Sequence, residues 1–311
     1  MPFPRKFRNK SSVENDDYAD FSYFDGYIVP ITPKRMRAVI VRIVVFLLFF
    51  LPAGLYAQVP CTSQMCPEVL RLVGNQGRDR IFNDFGNLYN QNNVKNFGIA
   101  LLGAGVVANT KMDGNFQNWY QDRVRSDSTD DFSKIAKFAG EGQFFIPIMA
   151  TSAITYRLCQ ARWGLADNTL GDFTDRTFRG YLVGAPALLT FQSLLGAGRP
   201  TMGPSYWRPF RHANAVSGHA YIGAVPFITA AQMTDKPVVK GLFYSLSVLC
   251  AWSRVNDDAH YLSQAVLGWY LAYLSVRAVT QTESRYTLPR GLTFFPVCDV
   301  GTVGAGVYYR Y

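Results

Sequence analysis

Between Phe97 and Ala278 six apolar segments recur, near 97–108, 144–158, 180–197, 220–232, 241–252 and 264–278. Most are shorter than the ~20 apolar residues that a bilayer's hydrocarbon demands, and polar residues interrupt them. The run from Tyr181 to Gly198 is longer, but it holds Pro186 and Gln192. Polar links such as 122–131 (DRVRSDSTDD) separate the segments and read as solvated loops and helix starts. Helix-length apolar segments must bury their faces, and here they have one another to bury them against. The expectation is an all-α bundle over 68–285, its apolar segments forming core helices rather than membrane spans. A mean hydropathy of +0.00 agrees, because a chain made mostly of spans would read clearly positive.

The two ends differ from this middle. Residues 1–35 are polar and mixed in charge and read as a disordered tail. Lys34, Arg35 and Arg37 then precede an apolar run from Ile43 to Leu51, broken by Pro52 and followed by small residues up to Ala57. Basic, apolar, then small is the order of a secretory signal, placed at 36–57. The other reading is an uncleaved anchor over 38–57, which would hold the protein at a membrane. Both readings export the rest of the chain. Met36 would also serve as the start of such a signal, and on that alternative 1–35 would be an extension outside the translated protein. At the other end, 292–298 and 302–311 alternate and are rich in β-formers, so 290–311 reads as a β-hairpin packed on the bundle. Its Val303, Ala305, Val307, Tyr309 and Tyr311 would share one face.

Five cysteines cannot all pair. Cys61 and Cys66 are close enough in sequence for a small disulfide in an exported protein, and Cys159 and Cys250 read as buried apolar fillers. A net charge of +9 suits phosphate-bearing partners. The chain has no zinc-ligand spacing, no Walker loop and no basic-aromatic repeat, so nucleic acid is not an expected partner, and no metal or cofactor is expected.

Two of the three histidines stand in suggestive settings, Ser217-Gly218-His219 and Ser253-Arg254 followed by His260. Gly198-Arg199-Pro200 ends a long apolar segment with a guanidinium. Phosphoryl transfer needs cations to match the non-bridging oxygens, a nucleophile in line and an acid for the leaving oxygen. Ser217-Gly218 before an apolar run would present N–H groups at a helix N-terminus, a ready anion site, with His219 just inside. Asp258 is a plausible N-cap that would place His260 in a first helical turn. Asp257 reads as a turn residue. Arg199 alone would also suit a helix C-terminus. Arg208, Arg211 and His212 lie on the link between two of these segments, either supplying extra charge to the site or simply solvated.

These segments resemble the three signature motifs of the type-2 phosphatidic acid phosphatase and vanadium haloperoxidase superfamily. That pattern runs Lys, six residues, Arg-Pro; then Pro-Ser-Gly-His; then Ser-Arg, five residues, His, three residues, Asp. The matches are Arg199-Pro200, Ser217-Gly218-His219, Ser253-Arg254 and His260, in the same order. The resemblance implies a helical bundle with His260 as phosphate nucleophile and His219 as leaving-group acid. It assigns Arg199, Arg254, Ser217 and Gly218 to the phosphate. The sequence departs at Gln192, where the family has lysine, at Val216 for proline, and at Gln264 for the aspartate that orients the nucleophile. Gln264 would still offer a carbonyl to His260, and Gln192 would stay beside the phosphate.

The expected activity is hydrolysis of a phosphate monoester, lipid or small and soluble, through a phosphohistidine. Two other readings stand beside it. One is a haloperoxidase, the only case in which vanadate would be a cofactor; the other is a phosphate-binding module that has lost catalysis.

Overall fold

The computed structural model describes residues 66–163, 168–286, 291–299 and 302–310, with side chains for 77–160 and 168–286. The tail 1–35, the signal or anchor 36–57, Cys61 and the side chain of Cys66 lie outside the described residues. The same is true of the side chains of 290–311, and so of the expected packing of that tail on the bundle.

Nine α-helices run through the described residues: α1 (Cys66–Leu88), α2 (Gln91–Ala108), α3 (Met112–Arg123), α4 (Asp127–Phe138), α5 (Gly142–Trp163), α6 (Thr169–Leu195), α7 (Gly218–Gln232), α8 (Pro237–Asn256) and α9 (Leu262–Tyr286). Beyond them the backbones of β1 (Gly291–Asp299) and β2 (Thr302–Arg310) pair antiparallel, Gly291 opposite Arg310.

The helix ends follow local chemistry. Asn90, Ser126, Asn168 and Ser217 each cap a helix by accepting a backbone N–H, which satisfies a donor that the first turn leaves over. Pro237 opens α8, where its missing N–H costs nothing. α6 stops at Gly196, which is left-handed at φ 54.

The core lies between α6, α7 and α9, where Tyr181, Val183, Val216, Tyr221, Val225, Ile228, Leu267, Leu271 and Leu274 are buried together. α7 packs against α8 and α9, and α9 also against α6 and α1. Gly268 sets how close α9 comes to the start of α7. A Cβ there would meet the Ser217 carbonyl oxygen at 2.3 Å, so any larger residue must push the two apart.

The later part of α9 closes on an ion network. Arg179 bonds Asp84 at 2.7 and 2.8 Å and also reaches Glu283, which in turn accepts from Arg80 at 2.8 Å. Arg157 pairs with Asp175 at 2.6 Å. Each buried charge has a partner, which is what makes its burial tolerable.

The sequence expectation holds only in part for three apolar segments. Segments 97–108, 144–158 and 241–252 bury one face, with Phe97, Ala153 and Cys250, and leave other apolar residues bare. Ile99, Leu102 and Val106 on α2, Phe144, Ile148 and Ile154 on α5, and Leu242 and Val248 on α8 are exposed. Periodicity shows that a helix is apolar; it does not show what covers it. α8 is the one described helix long and apolar enough to cross a membrane. Cys250 is buried as expected, but Cys159 is only half-buried.

Candidate active site

Three pieces of chain meet at the start of α7: the turn after α6, the Val216–His219 segment and the α8–α9 turn. Ser217 is the N-cap of α7, and its hydroxyl accepts the Ala220 N–H at 3.3 Å. Gly218 and His219 are therefore the first residues of the helix, where unpaired N–H groups favour an anion.

Two glutamines hold the pieces in register. Gln192 on α6 donates to the Val216 carbonyl at 2.9 Å, tying α6 to the α7 entry. Gln264 on α9 donates to the Gly198 carbonyl at 2.8 Å, tying α9 to the segment that carries Arg199. The Gln264 carbonyl in the backbone accepts the Ser217 N–H at 3.0 Å. Gln264 is completely buried, and its side-chain oxygen faces the His260 Nδ1 at 2.9 Å and accepts the Tyr261 N–H at 3.2 Å. An amide oxygen can only accept, so Nδ1 carries the proton and Nε2 keeps its lone pair.

His260 does not sit in a first helical turn, and Asp258 is not an N-cap. α9 begins two residues later, at Leu262. Asp258 is left-handed at φ 57 and ends α8 instead. Its N–H reaches the Val255 carbonyl at 3.2 Å, and the Ala259 N–H reaches that of Arg254 at 2.9 Å. That is a Schellman end with aspartate in the place glycine usually takes. The His260 N–H also bonds the Arg254 carbonyl, at 3.0 Å, so the turn that stops α8 fixes His260 and Arg254 together.

Arg199 follows α6 as the N-cap of a short 3-10 turn, Pro200–Met202, so it does not cap the α6 C-terminus. Its Nε donates to Asn214 Oδ1 at 3.0 Å, and both side chains are buried. The Nε of Arg254 is buried with no hydrogen-bond partner among the described residues. Arg199, Arg254 and His219 are all close enough to act on His260. Burial above all, then the two guanidiniums and His219, hold its pKa well below the ordinary histidine value, against the opposing bond from Gln264.

The sign of this shift matters for activity. A histidine nucleophile must be neutral, and a lowered pKa keeps it neutral further into acid. The acid limb of kcat/KM is therefore expected well below pH ~6.5, the value of an unperturbed histidine. A limb at or above that value, in a pH–rate profile on one ester, would contradict the environment described for His260.

The structure thus brings together Arg199, Ser217, Gly218, His219, Arg254, His260 and both glutamines. It gives Asp257 a supporting place: it accepts from Ser133 at 2.6 Å and lies 3.9 Å from Arg254. Arg208 and Arg211 are exposed and His212 is half-buried. Two residues were missed in the sequence. Asn214 orients Arg199, and Glu141, from the turn before α5, places Oε1 3.8 Å from His219 Nε2. Neither lies in a motif. Asn214 is close in sequence to Ser217, but nothing local marks Glu141.

Residues 169–287 match the family model described as PAP2 superfamily. Among solved structures, the chain is similar to the crystal structure of the first transmembrane PAP2 type phosphatidylglycerolphosphate phosphatase from Bacillus subtilis. The identity is 14%, the match covers 62% of this chain and 96% of that one, and the TM-score is 0.49. No curated protein matches the chain. Every motif residue from Gln192 to Gln264 lies inside the matched span, so it is over residues 169–287 that the chain is similar to the PAP2 superfamily.

Proposed function

We propose that this protein is a phosphatase that hydrolyses a phosphate monoester through a phosphohistidine on His260. The observation that carries this reading is the pairing of a buried, neutral His260, its Nδ1 held by Gln264, with two guanidiniums, Arg199 buried and Arg254 partly buried. Those cations would gain most from a bound phosphate, and the unpaired Nε of Arg254 is a donor ready for it.

The geometry supports the following chemistry. His260 Nε2 attacks phosphorus while Arg199, Arg254 and the first N–H groups of α7 hold the non-bridging oxygens. The bond to the leaving oxygen breaks, and His219 gives that oxygen its proton. A water then attacks the phosphohistidine, losing a proton to His219. The phosphorus–nitrogen bond breaks, phosphate leaves, and both histidines return to their starting states.

Exposed apolar residues on α2, α5 and α8 support a place at a membrane, with a lipid phosphate as the favoured substrate over a small soluble ester. Export of the catalytic part rests on the basic residues before the apolar run of 36–57. Release of inorganic phosphate from a lipid phosphate in detergent micelles and from a soluble aryl phosphate tests both points. Turnover of the lipid alone, or much faster than the aryl ester, supports the membrane substrate, and no release from either rejects the phosphatase.

Vanadate adopts the five-coordinate geometry of the transition state, and transition-state analogues bind at least ~10²-fold tighter than substrate. It is expected to inhibit competitively, with Ki at least about a hundredfold below KM. Turnover unaffected by vanadate well above the substrate KM would exclude the histidine route.

A further inference from the structure

We propose that Glu141 is a positioning residue for His219, its carboxylate keeping that imidazole protonated so that it can serve as the leaving-group acid. The inference rests on the phosphatase reading above and adds a residue outside the three motifs.

The first support is how Glu141 is brought there. It lies on the turn between α4 and α5, and its carbonyl accepts the N–H groups of Phe144 and Phe145 at 3.0 and 3.1 Å, which fixes its backbone. The residue before it, Gly140, rests on the first turn of α7. A Cβ at Gly140 would lie 2.8 Å from the His219 carbonyl oxygen and 2.5 Å from Cys250 Sγ. The oxygen is backbone and the sulfur is buried, so neither can give way cheaply. Only glycine lets the turn come this near, and the next side chain then reaches the imidazole.

The second support is the charge around His219. Arg199, Arg254 and His219 all act on His260, so the two guanidiniums are near neighbours of His219, and cations nearby disfavour a protonated ring. His260 itself is neutral. Cys250 sits beneath, its thiol donating to the His219 carbonyl at 3.2 Å. Asp257 faces Arg254 rather than His219. The Glu141 carboxylate lies in ion-pair range of the His219 ring, its Oε1 3.8 Å from Nε2. An anion at that distance helps a histidine acid in such company to hold its proton near neutral pH.

The sign is definite. Removing the carboxylate removes a stabiliser of the imidazolium, so His219 loses its proton at lower pH and the alkaline limb of the rate profile moves down. The pair is partly exposed, 20% for His219 and 28% for Glu141, so the movement of the limb is modest.

The test compares wild type, Glu141→Gln, Glu141→Ala and His219→Ala on hexyl phosphate and on 4-nitrophenyl phosphate. The alkyl ester needs a proton on its leaving oxygen; the aryl ester, with a good leaving group, needs it far less. Glu141→Gln is expected to lose about three- to tenfold on hexyl phosphate near neutral pH but less than about twofold on the aryl ester. Equal losses on both esters, or an unmoved alkaline limb, would overturn the proposal. The His219 ring titration, followed by imidazole NMR, gives an independent readout. Its midpoint should fall in Glu141→Gln, and an unchanged midpoint overturns the proposal even if no ester is hydrolysed. Absence of turnover in wild type strikes the phosphatase reading alone. Glu141→Ala carries both measurements if the glutamine variant does not fold.

Discussion

Replacing His260 by alanine is expected to abolish turnover, with a loss of at least ~10⁴-fold in kcat on any ester. Removing a covalent nucleophile costs this much or more, because the arginines and the α7 terminus can still bind phosphate but nothing attacks it. The fold should survive. Gln264 keeps its bonds to Gly198 and Tyr261, and the segment is held by backbone bonds to Arg254 that a side chain does not make. Circular dichroism and thermal melting establish that, and phosphate release measures the rest. A folded variant within about tenfold of wild type would remove His260 from the mechanism.

Arg254→Ala is expected to cost about 10²–10³ in kcat/KM. One charge-assisted hydrogen bond is worth about 1.5–3 kcal/mol, and a guanidinium fork gives more than one contact to phosphate. Arg254→Lys keeps the charge and loses the fork, so it should fall between, about tenfold below wild type. A second, independent effect follows from the same charge. Arg254 is one of the groups that lower the His260 pKa, so in the alanine variant that pKa rises and the acid limb of the profile moves to higher pH. A small loss with an unmoved limb would show that Arg254 faces away from the oxyanion. Both readouts come from one set of initial-rate profiles compared with wild type.

The residues that gather at the site could be picked out in the chain because they lie in short segments. Arg199, Ser217-Gly218-His219 and Arg254 with His260 each stand out through their neighbours in sequence. The carbonyl of Gln264 was legible too, as an acceptor four residues from His260. Its second task, holding Gly198, joins positions far apart in sequence and has no local trace. Glu141 was hidden for the same reason, since the approach that makes it relevant depends on Gly140 and Cys250 fitting together in space.

Asp258 misled for another reason. Aspartate both caps helix N-termini and tolerates the left-handed conformation, so one residue fits the start of α9 and the end of α8 equally well. Tertiary context chose the latter. The apolar segments of α2, α5 and α8 misled because a one-dimensional pattern carries no information on which faces find a partner.

The two glutamines have a consequence for how ionic strength acts on this protein. The contacts that assemble the site, Gln192 to Val216, Gln264 to Gly198 and Ser217 to Gln264, are bonds between uncharged groups, and dissolved ions do not screen them. The contacts that would grip a phosphate come from Arg199 and Arg254, and attraction between them and an incoming anion weakens as counterions accumulate. In a family pattern with lysine and aspartate at these two positions, salt would act on the framework and on the grip alike. Here the two are separated: brine would loosen the hold on the ligand and leave the cradle that receives it in shape.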